Sequence, residues 1–286
     1  MLLVIVLNYL FTLHPHFYFK MQVIKHINEL RAILDSKIQD GLRIGFVPTM
    51  GALHHGHLSL VEQAGLQTEY VVVSIFVNPT QFNDKSDLER YPRDLQKDVD
   101  LLKLTPCNLV FAPDAEEIYP EPDTRQFNFG SLEQVMEGKF RPGHFNGVAQ
   151  VVSRLFDIVQ PHKAFFGQKD FQQLTIIRAM ARNNFPKVEI VSCPIVREKD
   201  GLAMSSRNRR LLPEHRERAG EIFKTLIAAA AMVSDTEPDD IRDFVADRIN
   251  MIPGFNLEYF EIVEEYTLKP VRSRKDMTPD KNYFGC

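Results

Sequence analysis

From residue 40 onward, short apolar runs alternate with stretches of helical periodicity, and that alternation leaves few folds open. Residues 42–47 form an apolar run broken by Pro48-Thr49-Met50-Gly51. Residues 57–67 follow, with Leu58, Leu60, Val61, Ala64 and Leu66 close to helical spacing. Residues 70–77 are rich in β-branched side chains and read as a buried parallel strand, which Asn78-Pro79-Thr80 stops. Helices are expected over 93–104, 143–159 and 171–182, and strands over 108–111, 164–166 and 188–191. Strand–helix–strand repetition argues for an α/β fold, a parallel sheet with right-handed crossovers.

The pattern changes near residue 194. Pro213 is placed to open a helix running over 214–233, with Ala228 to Ala231 at its centre. A polar turn over 234–240, a second helix over 240–250 and an alternating strand over 257–263 complete the chain. The expected organisation is a domain over 21–195 and a smaller α+β C-terminal domain over 196–286. Residues 1–13 are mostly apolar, yet no basic stretch precedes them and no small-residue cleavage site follows. The run is also short of the ~20 residues a membrane helix needs. Residues 1–20 are therefore read as an extension outside the fold, with Met21 opening an ordinary soluble start. The 34 basic and 38 acidic side chains nearly balance, which gives no reason to expect nucleic acid or membrane as a partner. Cys107, Cys193 and Cys286 lie far apart with no metal or CxxC spacing, which favours a reduced, cytoplasmic setting.

The segment Pro48-Thr49-Met50-Gly51-Ala52-Leu53-His54-His55-Gly56-His57 falls where an expected strand meets an expected helix. In a parallel sheet that junction lies at the carboxyl end, where ligands bind. A helix N-terminus offers free N–H groups and a positive dipole end, which suit phosphate. Gly51 and Gly56 permit close backbone approach, and His54 and His57 can offset charge developing on a leaving pyrophosphate. The competing readings are a zinc pair or three surface histidines, but no Cys or carboxylate cluster nearby completes a metal site. Gly167-Gln168-Lys169-Asp170 is a second strand–helix junction with a mobile point charge. Met204-Ser205-Ser206-Arg207-Asn208 offers hydroxyls and a guanidinium on a loop. Taken singly, these two read as surface turns; three phosphate-compatible segments in one chain suggest nucleotidyl transfer. In Asn78-Pro79-Thr80-Gln81-Phe82, Gln81 could hydrogen-bond a small polar substrate, the alternative being a simple strand-ending turn. Phe165, Phe166 and Phe171 read as core.

With those residues in hand, the chain resembles the pantothenate synthetase family from about Met21 to about Lys281. The resemblance rests on residues 48–57, 75–82 (IFVNPTQF), 91–94 (YPRD), 140–152 (FRPGHFNGVAQVV) and 166–173 (FGQKDFQQ) with 197–208 (REKDGLAMSSRN). It implies a Rossmann-like first domain, a small C-terminal lid and a homodimer. It also implies an ATP- and Mg2+-dependent ligase of coenzyme A biosynthesis that joins pantoate to β-alanine. Pantoate carboxylate attacks the α-phosphate, giving pantoyl adenylate and pyrophosphate; β-alanine then releases AMP. The ATP site so implied comprises Met50, Gly51, Ala52, Leu53, His54, His55, Gly56, His57, Gly167, Gln168, Lys169, Asp170, Val196, Met204, Ser205, Ser206 and Arg207. His57 takes the general-acid role, with His54 and Lys169 beside it. Pantoate falls to Gln81 and Gln173, with Gln81 also near β-alanine, and Asp98 is a candidate outer-sphere partner of Mg2+. The family's C-terminal sheet generally runs one strand further than this chain, which stops at Cys286. Two rival readings are another HxGH nucleotidyltransferase, which would leave a stable adenylated product, and an inactive relative that binds nucleotide only.

Overall fold

A computed structural model describes residues 21–82 and 85–286, so the expectation for residues 1–20 lies outside the described residues. Two elements not foreseen from periodicity come first, β1 (Gln22–Ile24) and α1 (Ile27–Gln39). β2 (Ile44–Thr49), α2 (His55–Gln67) and β3 (Tyr70–Ile75) follow. α3 (Lys85–Glu89) and α4 (Leu95–Leu102) lead to β4 (Cys107–Phe111). α5 (Ala115–Ile118), α6 (Met136–Phe140) and α7 (His144–Val159) precede β5 (Lys163–Gly167), and α8 (Phe171–Asn184) precedes β6 (Glu189–Cys193). The six strands form one sheet in the order β1-β4-β3-β2-β5-β6, parallel throughout.

Successive strand residues point to opposite faces, and both faces here are covered, as a parallel sheet requires. Phe46, Val72, Leu109, Phe111, Ala164 and Phe166 pack with Leu30 and Leu34 of α1 and with the buried side of α7. Val47, Val71, Val73, Val110 and Phe165 pack with Leu60, Val61 and Ala64 of α2 and with Leu102 of α4.

The strand order turns back between β2 and β5: the chain builds outward through β3 and β4, then returns to the other side of β2. Such a switch point leaves a crevice beyond the carboxyl ends of the strands. Local chemistry widens it. Ile44 points its backbone toward β5, its N–H donating to His162 Nδ1 and its carbonyl accepting the His162 N–H. By the two-residue repeat Pro48 also faces β5, and it has no N–H to give. The β2–β5 ladder ends at the pair Phe46–Ala164, whereas β2 pairs with β3 through Thr49.

The C-terminal region has its own core. α10 (Gly220–Met232) and α11 (Pro238–Asn250) pack Ala229, Ile241, Val245 and Ile249 against Phe260, Ile262 and Val271, beside the antiparallel pair β7 (Ile262–Glu264) and β8 (Tyr283–Gly285). The helix expected over 214–233 is broken: α9 (Pro213–Arg218) ends at Ala219 and α10 starts anew. The break lets Gly220 press on the turn around Asp200, where a Cβ would lie 2.8 Å from the Asp200 carbonyl oxygen. The expected strand over 257–263 shrinks to β7. A small cluster of Met136, Phe171, Val263 and Leu268 joins this region to the first, reinforced by an Arg178–Glu265 ion pair of 3.1 Å.

Candidate active site

A cavity of about 240 Å³ lies over the split between β2 and β5. Its wall takes Met50, His54, Gly56 and His57 from the loop after β2, and Gln81 from the turn after β3. Gly167, Lys169, Asp170 and Gln173 come from the β5–α8 junction, and Val196, Met204, Ser205, Ser206 and Arg207 from the chain after β6. Gly51, Ala52, Leu53, His55 and Gln168 are not among the lining residues, although the sequence reading groups them with the ATP site. His55 is exposed. The N–H groups of Ala52 and Leu53 are already taken: each donates to a carboxylate oxygen of Asp98, at 2.9 and 2.8 Å. This also corrects the expectation for Asp98. The residue is buried behind the loop, away from the cavity wall, so it has no face to offer a Mg2+ hydration shell.

The loop after β2 runs through two left-handed residues, Gly51 (φ 78°) and Ala52 (φ 51°). Glycine adopts such a φ freely, whereas alanine does so under strain that its surroundings must offset. His54 then caps α2. Its Nδ1 accepts the Gly56 N–H at 3.1 Å, while the His54 N–H donates to His57 Nδ1 at 3.4 Å, a reciprocal box built from two imidazoles. An Nδ1 that accepts must be unprotonated, so in the neutral ring the proton sits on Nε2. The two rings, with centroids 4.1 Å apart, are thereby set as neutral Nε2–H donors. Their acidities agree. Burial first, then the neighbouring His54 and Lys169, push His57 down to about 3, and burial with the Lys169 charge also lowers His54.

Gln81 sits in the turn Pro79–Gln81, capped by Asn78. Asn78 is almost wholly buried and saturated with bonds: it donates to Gln81 Oε1 and to the Gly147 carbonyl (3.3 Å each) and accepts from Thr80 and from the Tyr119 hydroxyl. This orients the Gln81 amide so that its Nε2 reaches Met50 Sδ at 3.0 Å. Gln173 lines the cavity, whereas its neighbour Gln172 turns into the core and donates to the Leu132 and Val135 carbonyls. The Lys169 ammonium rests 3.2 Å from the Asp170 carboxylate. Across the cavity, Arg207 and Arg210 share the Asp87 carboxylate at 2.9 and 2.8 Å, and the Arg207 guanidinium lies 5.9 Å from the Tyr91 ring centroid. Those arginines hold Asp87 below the usual carboxylate range.

The cavity also recruits residues that sequence reasoning left without a role: Asn78, Tyr91, Glu137, Arg141 and His144. His144 is buried at the start of α7, its Nδ1 2.9 Å from the Gln81 carbonyl oxygen. Its sequence cue was the Gly143-His144 step at a helix start, where Gly143 adopts φ 79°. Among the described residues no group of three or more His, Cys, Asp or Glu is arranged to hold a metal ion, and no helix is long and apolar enough to cross a membrane.

Comparison with known proteins gives one consistent answer. A family model described as pantoate-beta-alanine ligase matches residues 22–283. A pantothenate synthetase of Bacteroides fragilis is 55% identical over 88% of this chain and 89% of its own length. One from Phocaeicola vulgatus is 54% identical, over 90% and 91%. A crystal structure of pantothenate synthetase from Thermus thermophilus superposes with a TM-score of 0.84 at 42% identity, covering 92% of this chain and 93% of that one. The pantoate-beta-alanine ligase of Francisella tularensis, complexed with beta-gamma ATP and beta-alanine, superposes with a TM-score of 0.73 at 31% identity, over 91% and 100%.

Proposed function

The chain belongs to the pantoate–beta-alanine ligase family, and from that premise we propose how its cavity carries out the reaction. The enzyme condenses pantoate with β-alanine to give pantothenate, with ATP consumed. The reaction runs in two steps. Pantoate carboxylate oxygen attacks the α-phosphorus, the bond to the bridging oxygen breaks, and pyrophosphate leaves. The amine of β-alanine then attacks the carbonyl of the mixed anhydride, AMP leaves with the bonding pair, and the amine proton passes to solvent. The observation that carries this reading is the convergence of three phosphate-suited segments, distant in sequence, on one cavity at the switch point.

The residues divide the work by chemistry. Lys169, Ser205, Ser206 and Arg207 meet the triphosphate, with the N-terminal end of α2 opposite them. A neutral imidazole N–H is too weak an acid to give up its proton. As neutral rings, His57 and His54 are therefore hydrogen-bond donors rather than proton donors. Bound triphosphate adds opposite charge and raises both pKa values, which makes the general-acid role of His57 available when pyrophosphate departs. Preorganised donors of this kind act without reorientation as charge develops. Gln81 and Gln173 hold pantoate in line with the α-phosphorus, and Gln81 also borders the β-alanine position. No residue need form a covalent bond to substrate, because adenylation itself supplies the leaving group and the cavity supplies orientation.

ATP enters as its Mg2+ complex. Among the described residues no carboxylate or histidine cluster forms a cage for the ion, which suits a cation carried by phosphates and water. The region after residue 195, with its separate core, serves as the lid that brings 204–207 over the nucleotide. The protein works in the cytoplasm as a homodimer. Incubation with ATP, Mg2+, pantoate and β-alanine should yield pantothenate, AMP and pyrophosphate in equal amounts. ATP and pantoate alone should exchange labelled pyrophosphate into ATP. Exchange that strictly requires β-alanine would refute the two-step order, and accumulation of a stable adenylated product would refute the ligase reading.

A further inference from the structure

Asp98 belongs to neither the cavity wall nor the surface, and at 3% exposure its carboxylate is shut away from water. A buried carboxylate is costly unless its oxygens are hydrogen-bonded. Here each oxygen accepts one backbone N–H, Oδ2 from Ala52 and Oδ1 from Leu53. The first of these is the left-handed Ala52, directly after Gly51, and Leu53 follows it. The fit is close on the Gly51 side as well: a Cβ there would stand 2.8 Å from Asp98 Oδ2 and 3.1 Å from Ile75 Cγ2. Asp98 is carried on the first turn of α4, whose own N-cap Asp94 fixes the helix start by accepting the Lys97 N–H. The loop is therefore clamped from behind by a rigid element, between Met50 and His54, both of which face the cavity.

We infer that Asp98 is a positioning residue for nucleotide binding, clamping the Gly51–Leu53 turn so that Met50, His54 and His57 stand where a triphosphate meets them. This rests on the reading of the cavity as the ATP site. The isosteric substitution Asp98→Asn keeps one acceptor oxygen but turns an amide NH2 toward the second loop N–H. With one charge-assisted bond to the loop lost and the residues that meet the triphosphate displaced, the variant should bind ATP roughly 10- to 100-fold more weakly.

The test is steady-state kinetics and pantoate-dependent pyrophosphate exchange on the full chain, wild type and Asp98→Asn, with melting temperatures alongside. The expected result is a KM for ATP raised at least tenfold with the KM for pantoate within about twofold of wild type. Gly51→Ala, which drives a Cβ against the same oxygen, should give the same split, and the double variant should be no worse than the poorer single one. Additive losses in the double variant would overturn the clamp. So would an unchanged KM for ATP in Asp98→Asn, or an equal fall in turnover with every substrate at unchanged KM, which marks mere loss of folded protein. If the wild type itself shows no pantoate-dependent exchange, the site reading has failed and this inference falls with it.

Discussion

The neutral state of His57 makes a prediction about acid stability whose size can be worked out. The folded-state pKa is depressed from 6.5 to about 3. Above pH 6.5 the ring is neutral in both folded and unfolded chains, and the full stability is present. As pH falls below 6.5 the unfolded chain takes up a proton that the folded chain refuses, so stability is lost progressively toward pH 3. The slope is about 1.4 kcal/mol per pH unit, which brings the loss at pH 5 to about 2 kcal/mol relative to pH 8. His57 is partly exposed toward the cavity, so this figure is an upper bound. At about 2–4 °C per kcal/mol for a chain of this size class, it corresponds to a melting temperature lower by roughly 4–8 °C. In His57→Asn the amide oxygen takes the place of Nδ1 and still accepts the His54 N–H, but nothing titrates. Calorimetry of both proteins at pH 8 and pH 5 should show the wild type falling further than the variant by that margin. Equal falls would mean that His57 is protonated in the folded protein, and the tautomer argument would collapse with it.

Lys169→Ala should lower pyrophosphate release by about 10²–10³-fold, as measured by exchange rate, with the melting temperature nearly unchanged because the ion pair it makes is with the exposed Asp170. Gln81→Ala and Gln173→Ala should each raise the KM for pantoate more than that for ATP, since a site built for hydrogen bonds loses most when one partner is missing; a change confined to ATP would contradict their placement. Gly147→Ala should cost about 1–3 kcal/mol of stability and also raise the KM for pantoate. Its Cβ would stand 2.7 Å from the Thr80 carbonyl oxygen and 3.0 Å from Gln81 Cα, displacing the turn that aims Gln81.

The architecture was readable where period and punctuation agree. The unit β2–loop–α2 was visible because an apolar run, a Gly-containing break and a helical repeat stand in succession, and α7 because its apolar residues fill most of its length. Where the reading stopped, the reasons are local. β2 extends to Thr49, beyond the residue-47 limit expected from apolar content, because Pro48 loses a donor only on the side where no partner strand continues. α1 has a weak apolar stripe among many polar residues, and β1 is three residues long. The helix break at Ala219 answers to the distant Asp200 turn, a tertiary demand that no periodicity records. At the site, glycine, histidine and lysine types at strand ends carried enough chemistry to be picked out. Asp98 did not, because its role depends on which backbone N–H groups its carboxylate meets, and the sequence reading sent it toward a metal instead. Asn78, Tyr91 and His144 escaped because their partners and their place on the cavity wall come from segments distant in the chain.

The short ladder between β2 and β5 has a mechanical consequence. Their ladder holds the pairs Gly45–Lys163 and Phe46–Ala164, preceded by the Ile44–His162 hydrogen bonds, against six pairs between β2 and β3 and five between β5 and β6. The sheet is thus two stiff plates stitched along a short seam, and the seam ends directly beneath the cavity. The histidine loop rides on one plate and Lys169 on the other. Across the gap the plates are held by helices on both faces: α2 packs Leu60, Val61 and Ala64 with Val47 of β2 and Phe165 of β5, and α7 packs against Phe46 and Phe166 on the other face. The width of the cavity is therefore held by side-chain packing more than by backbone hydrogen bonds between β2 and β5, and a ligand that bridges the two plates would tighten the sheet that carries it.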